Sequence, residues 1–177
     1  MSILDNEETI PQLLARLPQV GQVTWIGLRP AMHAPIQVVT EAQARPGDGL
    51  LGDRYQGRPE SKRQVTLIQA EHLAAVASYL GRAEVDPSLT RRNIVVKGIN
   101  LLALKGRRFR VGEVILEMTG LCHPCSQMEE NLGPGGYNAM RGHGGITARV
   151  IQGGTIRVGD PVALVREEAE AARGVSQ

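Results

Sequence analysis

Cys125 is the residue best placed by type and context to do chemistry. It follows Pro124 and stands before Ser126-Gln-Met-Glu-Glu-Asn-Leu132, a segment that reads as a short helix stopped by Gly133. A thiol at a helix start lies near unpaired backbone N–H groups. These favour the thiolate, the form that attacks electrophiles or ligates soft metals. The bland alternative is a small buried side chain, because free cysteine behaves as a hydrophobe. Cys122 sits three positions earlier, in Cys122-His-Pro-Cys125. The pair reads as packing neighbours, as a dithiol redox motif, or as half of a zinc site. The dithiol reading lacks the strand and long helix that normally surround such a motif. The zinc reading lacks a second cysteine pair, since His33, His72 and His143 are scattered.

Three other clusters carry polar groups suited to a ligand. In Gly52-Asp-Arg54-Tyr, glycine permits close approach of the backbone, and Arg54 offers a planar fork for phosphate or carboxylate that Asp53 can orient. Arg91-Arg92-Asn93 places two cations and a carboxamide at the entry to a strand. Gly142-His143-Gly-Gly145 is a flexible loop with one imidazole. Each has an ordinary reading as well: a turn with a surface ion pair, a solvated strand end, a hydrogen-bonded loop histidine. Together they describe an anionic ligand held by arginines and backbone amides beside a reactive thiol. No Gly-x-Ser-x-Gly elbow and no phosphate-loop or dinucleotide glycine motif competes with that reading.

These residues need a scaffold. Residues 1–19 are expected to form an accessory helix, with Leu13, Leu14 and Leu17 as its apolar stripe and Pro18 as its stop. Val20–Leu28 alternates as a strand, and Ile36–Thr40 is its expected antiparallel partner. Residues 44–57, rich in Gly and Pro, read as a loop. Gln64–Ile68 is a short buried strand. Ala70–Leu80 is the strongest helix, with Leu73, Val76, Ala77 and Leu80 on one face and Gly81 behind it. Arg91–Lys97 enters a strand, and Arg108–Thr119 is a hairpin about Val111-Gly-Glu. Residues 146–165 read as a hairpin and a last strand, and 166–177 as a polar tail. Strands do not alternate regularly with long helices, so the expected class is mainly β, a barrel with peripheral helices.

Composition bounds the function. The chain has 177 residues, 42% of them hydrophobic, enough for one domain with its own core. Lys and Arg number 20 against 18 Asp and Glu, which gives no field for nucleic acid, and aromatics are only 3%. No apolar run approaches the ~18–20 residues of a helical membrane span. The acidic start, with Asp5, Glu7 and Glu8, lacks the features of a secretory leader, so a cytoplasmic location is expected.

The ordered motifs also carry a resemblance. Gly49-Leu-Leu-Gly-Asp-Arg-Tyr55, Lys62-Arg-Gln-Val-Thr-Leu-Ile68, Arg91-Arg-Asn-Ile94, Leu104-Lys-Gly-Arg-Arg-Phe-Arg-Val-Gly-Glu113, Pro124-Cys125 and Gly144–Asp160 together resemble the MOSC domain family, named for the C-terminal domain of molybdenum cofactor sulfurases. The likeness spans about residues 20–165, and the chain is similar to the short, stand-alone bacterial members. It implies a closed β-barrel of the pyruvate-kinase type and binding of molybdenum cofactor. It also implies Cys125 as metal ligand or sulfur carrier, with Arg54 and Asn93 near the ligand and His143 and Arg149 in the final motif. The implied use is reduction of N-hydroxylated compounds, or transfer of sulfur or cofactor. A non-catalytic carrier of the cofactor is the alternative. The chain has no aminotransferase-like desulfurase domain, so pyridoxal phosphate is not expected, and reduction would draw on an external electron donor. Cofactor-handling proteins are the other expected partners.

Overall fold

The computed structural model describes residues 8–55 and 57–166. Seven strands close into a barrel: β1 (Gly21–Leu28), β6 (Ile94–Lys97), β5 (Val65–Gln69), β9 (Ile146–Gln152), β8 (Val114–Leu121), β7 (Arg108–Val111) and β11 (Pro161–Leu164), in that order around the ring. The ring shuts where β11 returns to β1, with Gly21 opposite Val162. Gly21 is required there, because a Cβ would lie 2.5 Å from the Ile99 side chain. β1 serves three neighbours along its length, β11 at its start, β6 through most of it, and β2 (Gln37–Val39) at its end. A register shift between Val23 and Trp25 bends it around the barrel.

All barrel pairs are antiparallel except β5 with β6. That exception follows from the crossover helix α2 (Ala70–Tyr79) between them. Helices α2, α3 (Ser126–Leu132) and α4 (Gly136–Met140) cover the outside of these two strands. Leu67, Ile94 and Val96 point into the barrel core, with Val23, Phe109 and Leu116. Ile68 and Val95 point outward and pack under Leu73, Val76, Met128 and Leu132. Both faces of β5 and of Ile94–Val96 in β6 are therefore buried, which is why these segments show no apolar–polar alternation.

Four sequence expectations change. Residues 44–57 are not all loop: β3 (Glu41–Arg45) and β4 (Gly49–Leu50) form a small hairpin whose turn uses Gly47 at φ +83°. The expected terminal hairpin does not form. β10 (Gly154–Arg157) leaves β9 and pairs with β3. Gly153 and Gly154 allow that turn, since a Cβ on Gly153 would lie 2.7 Å from the Ala44 carbonyl. The N-terminal helix α1 covers only Ile10–Ala15, with Leu13 and Leu14 exposed and Leu17 packed on the core. Its opening is fixed by Gln12, whose side chain accepts from Thr9 N–H at 2.7 Å. Helix α4 was not anticipated from the sequence. The first seven residues of the expected accessory helix and residues 167–177 of the expected tail lie outside the described residues.

Candidate functional site

One rim of the barrel gathers the ends of β1, β5 and β6 with the turn after β4. Three backbone hydrogen bonds lock these together: Gly27 N–H to Asn93 C=O at 2.7 Å, Asn93 N–H to Thr66 C=O at 3.1 Å, and Arg54 N–H to Arg29 C=O at 2.5 Å. Asn93 lies at the centre and is fully buried. Its Nδ2 donates to the Gly27 carbonyl at 3.1 Å and to Asp53 Oδ1 at 3.0 Å. Its Oδ1 accepts from Thr66 N–H and Thr66 Oγ1, both at 3.1 Å. The carboxamide is thus fully partnered by protein groups.

Asp53 carries the arrangement outward. It accepts from Arg29 N–H at 2.7 Å, Arg29 Nε at 3.1 Å and Arg29 Nη2 at 2.8 Å. The sequence pointed to Asp53 as a holder for Arg54, its neighbour. The structure gives that place to Arg29, 24 positions away. Burial alone would raise the Asp53 carboxyl, but the hydrogen bond and charge of Arg29, with help from Asn93, hold it below the ordinary carboxylate range.

Around this pair stand further guanidinium groups. Arg91 sits in the left-handed region at φ +59° and donates to the carbonyls of Ala34 and Ala31, which ties down the loop after β1. Burial and repulsion from Arg29 and Arg54 lower its pKa. Arg54 is exposed. Arg92 is only 6% exposed and has four carbonyl partners: Gly144 at 2.7 Å, Thr90 at 2.9 Å, and Cys122 and His123 each at 3.3 Å. Burial lowers its pKa, opposed by Cys122 and Cys125 and aided by Arg29 and Arg63. Among the described residues, neither Arg54, Arg91 nor Arg92 forms a salt bridge. The cluster is therefore cationic, with Asp53 ion-paired to Arg29 and, among the described residues, to none of the other three arginines.

The cysteine segment is fastened to this rim. β8 ends at Leu121, and Cys122 N–H donates to the Gly145 carbonyl at 2.9 Å. Gly144 passes so close that a Cβ there would lie 2.0 Å from the Cys122 carbonyl oxygen. Cys122 is half-buried. Cys125 is exposed, forms no disulfide, and caps α3 without a side-chain hydrogen bond. Gln127 of α3 reaches His33 in the loop that Arg91 holds, at 3.4 Å. The rim thus joins Arg29, Arg54, Asn93, Arg91 and Arg92 to the Cys125 segment.

Two expected site residues go elsewhere. His143 packs edge-on against His72 and Tyr79, with ring centroids 5.0 and 5.4 Å apart, and its Nδ1 lies 2.9 Å from the Arg141 carbonyl. Arg149 pairs with Glu117 at 2.8 Å across β8 and β9. Arg29 and the anchoring role of Arg92 were missed from sequence. A cation directly after a buried strand, as Arg29 follows Leu28, is the signal that could have found the first. Among the described residues no three His, Cys, Asp or Glu side chains gather as a metal site.

Comparison with known proteins fixes the family. The family model described as MOSC domain matches residues 32–163. The chain belongs to the MOSC domain family. No curated protein matches it. Among solved structures, the YuaD protein from Bacillus subtilis superposes with a TM-score of 0.72 at 17% identity, covering 84% of this chain and 98% of that one. YiiM from Geobacillus stearothermophilus gives 0.68 at 19%, covering 88% and 77%. YiiM from Escherichia coli gives 0.63 at 19%, covering 82% and 70%. At these identities the likeness establishes a shared MOSC fold, and the closed barrel with few helices agrees with it. Among the described residues no helix is long and apolar enough to cross a membrane.

Proposed function

We propose that this MOSC protein binds molybdenum cofactor at the arginine-lined rim, with Cys125 as the protein's sulfur at the metal. The observation that carries the reading is an exposed thiol without a hydrogen-bond cap, on a segment whose backbone Arg92 of the cationic cluster holds at Cys122 and His123. The donor set fits the group. A pterin phosphate calls for guanidinium forks, which Arg54 and Arg91 supply. A soft metal already bound by a dithiolene needs one further thiolate, and no cage of protein ligands.

Within this reading the residues divide by role. Cys125 touches the metal, or carries a sulfur atom as a persulfide. Arg54 and Arg91 hold the phosphate. Asn93 orients rather than touches: it fixes Asp53, which fixes Arg29. Arg92 holds the backbone on which Cys125 is mounted. His143 and Arg149 are assigned no ligand contact. When bound, the cofactor supplies a two-electron redox centre. The protein's use of it is reduction of N-hydroxylated compounds with an external donor, or handover of sulfur or cofactor to a partner.

The test is elemental and pterin analysis of protein made in a host that synthesises the cofactor. Wild type should carry molybdenum and pterin together, and Cys125→Ala should lose the metal. Arg54→Glu should lower pterin content while leaving the thiol reactive. Stoichiometric molybdenum in Cys125→Ala overturns the ligand assignment. Wild-type protein with neither metal nor pterin overturns the reading as a whole. Mass spectrometry separates the two uses, since a carrier gains one sulfur atom on Cys125 when supplied with a persulfide donor.

A further inference from the structure

A cavity of about 610 Å³ opens on the cysteine segment, lined by Cys122, His123 and Pro124 but not by Cys125 or any arginine of the cationic cluster. Its volume lies within the range of small-molecule sites, ~300–1,000 Å³. Leu102 and Leu121 stand on its wall 41% and 47% exposed, although both are large apolar side chains. Pro124 extends the apolar surface.

Glycines shape the rest. Gly144 and Gly145 line the cavity, and neither tolerates a side chain, because a Cβ would meet the Cys122 or the Leu67 carbonyl oxygen at 2.0 Å. Gly120 differs. A Cβ there meets only Thr147 Oγ1, at an ordinary 3.6 Å. The strand would accept a side chain at 120, on the lining of the cavity.

Charge on the lining is one-sided. Lys105 is exposed, lines the cavity, and forms no salt bridge among the described residues. No Asp or Glu lines it. An apolar wall with a single unopposed ammonium group suits a molecule with an apolar body and one anionic group.

We propose that this cavity binds a small molecule with an aryl or alkyl body and a carboxylate, the body against Leu102 and Leu121 and the carboxylate at Lys105. Binding does not require the cofactor. If the proposed function holds, the occupant is the body of the substrate, presented beside the Cys125 segment.

The test uses the isolated full chain and phenylbutyrate as probe, followed by amide NMR. The backbone signals of Gly120, Gly142, Gly144 and Gly145 should shift saturably. Gly120→Leu, which adds bulk to the cavity lining, should weaken binding about tenfold or more. Lys105→Glu, at an exposed position, should weaken it too, and phenylbutanol should bind less well than phenylbutyrate. Absence of a saturable shift at these glycines up to the solubility limit overturns the proposal. So does a shift confined to Arg54, Arg91 and Ser126, which would place the carboxylate in the arginine cluster. Equal binding of the alcohol and the acid overturns the part played by Lys105. Molybdenum and pterin content of the Gly120→Leu protein is read separately. A wild-type chain without cofactor would defeat the proposed function and leave this binding result standing.

Discussion

The buried guanidinium of Arg92 donates to the main-chain carbonyl of Cys122 at 3.3 Å, across 30 positions of sequence. The same side chain reaches His123 and Gly144, so one residue just before β6 sets the position of two loops. The thiol of Cys125 is three residues beyond this anchor. Its placement is therefore a property of the barrel rather than of α3, a helix of seven residues.

Arg92→Ala should destabilise the protein by roughly 2–4 kcal/mol, because it leaves the buried Gly144 and Thr90 carbonyls without this donor at ~1–3 kcal/mol each, and the part-buried Cys122 and His123 carbonyls to water. Arg92→Lys keeps the charge but loses the fork that serves several acceptors, and should recover only part of the loss. Urea unfolding measures both. An Arg92→Ala protein as stable as wild type would show that these bonds contribute nothing net.

Asp53 makes stability depend on acid pH. Its folded pKa is depressed, chiefly by Arg29 working against burial, so its contribution is complete above the unfolded value of about 3.9 and fades as pH falls through the folded value. Asp53→Asn should be less stable than wild type at pH 7 by roughly 1–3 kcal/mol, having left Arg29 without its acid. The gap should shrink as pH drops below about 4. Chemical unfolding at a series of pH values reads this directly, and a gap that stays constant to the lowest pH argues against the coupling.

Gly144 and Gly142 should respond differently to alanine, although they are two residues apart. Gly142 has φ +79° but open space around it, so Gly142→Ala meets only backbone strain of about 1–2 kcal/mol. Gly144→Ala forces a methyl onto the Cys122 carbonyl oxygen and should cost roughly 3 kcal/mol as well as displace the cysteine segment. Thermal unfolding ranks the two. The reverse order would mean that the Cys122 loop yields freely.

His72 supplies a second pH effect of opposite origin. Burial, and then the nearby His143, lower its pKa, while Glu71 pulls the other way. A histidine whose folded pKa lies below the unfolded value of about 6.5 contributes fully above that pH and loses its contribution as pH falls toward the folded value. Wild type should therefore weaken on going from about pH 7 to pH 5, and His72→Gln should flatten that slope. A slope unaffected by the substitution would assign the effect to other groups.

Local order was legible because it depends on neighbours in sequence. Alternation set β1, helical spacing and Gly81 set α2, Gly112 set the β7–β8 hairpin, and Pro124 with Gly133 bounded α3. The ordered set of short motifs carried the family itself, since it preserves residue type and sequence order together. Tertiary structure decided which segments meet, because the energies that choose partners act between residues far apart in the chain. β10 pairs with β3 rather than β9, and β11 shuts the ring on β1. Asp53 takes Arg29 in place of its neighbour Arg54, and Asn93 is enclosed as a brace. His143 turns to His72 and Arg149 to Glu117. Sequence spacing holds no information on these pairings, because barrel closure brings strand ends together in an order unrelated to their distance along the chain.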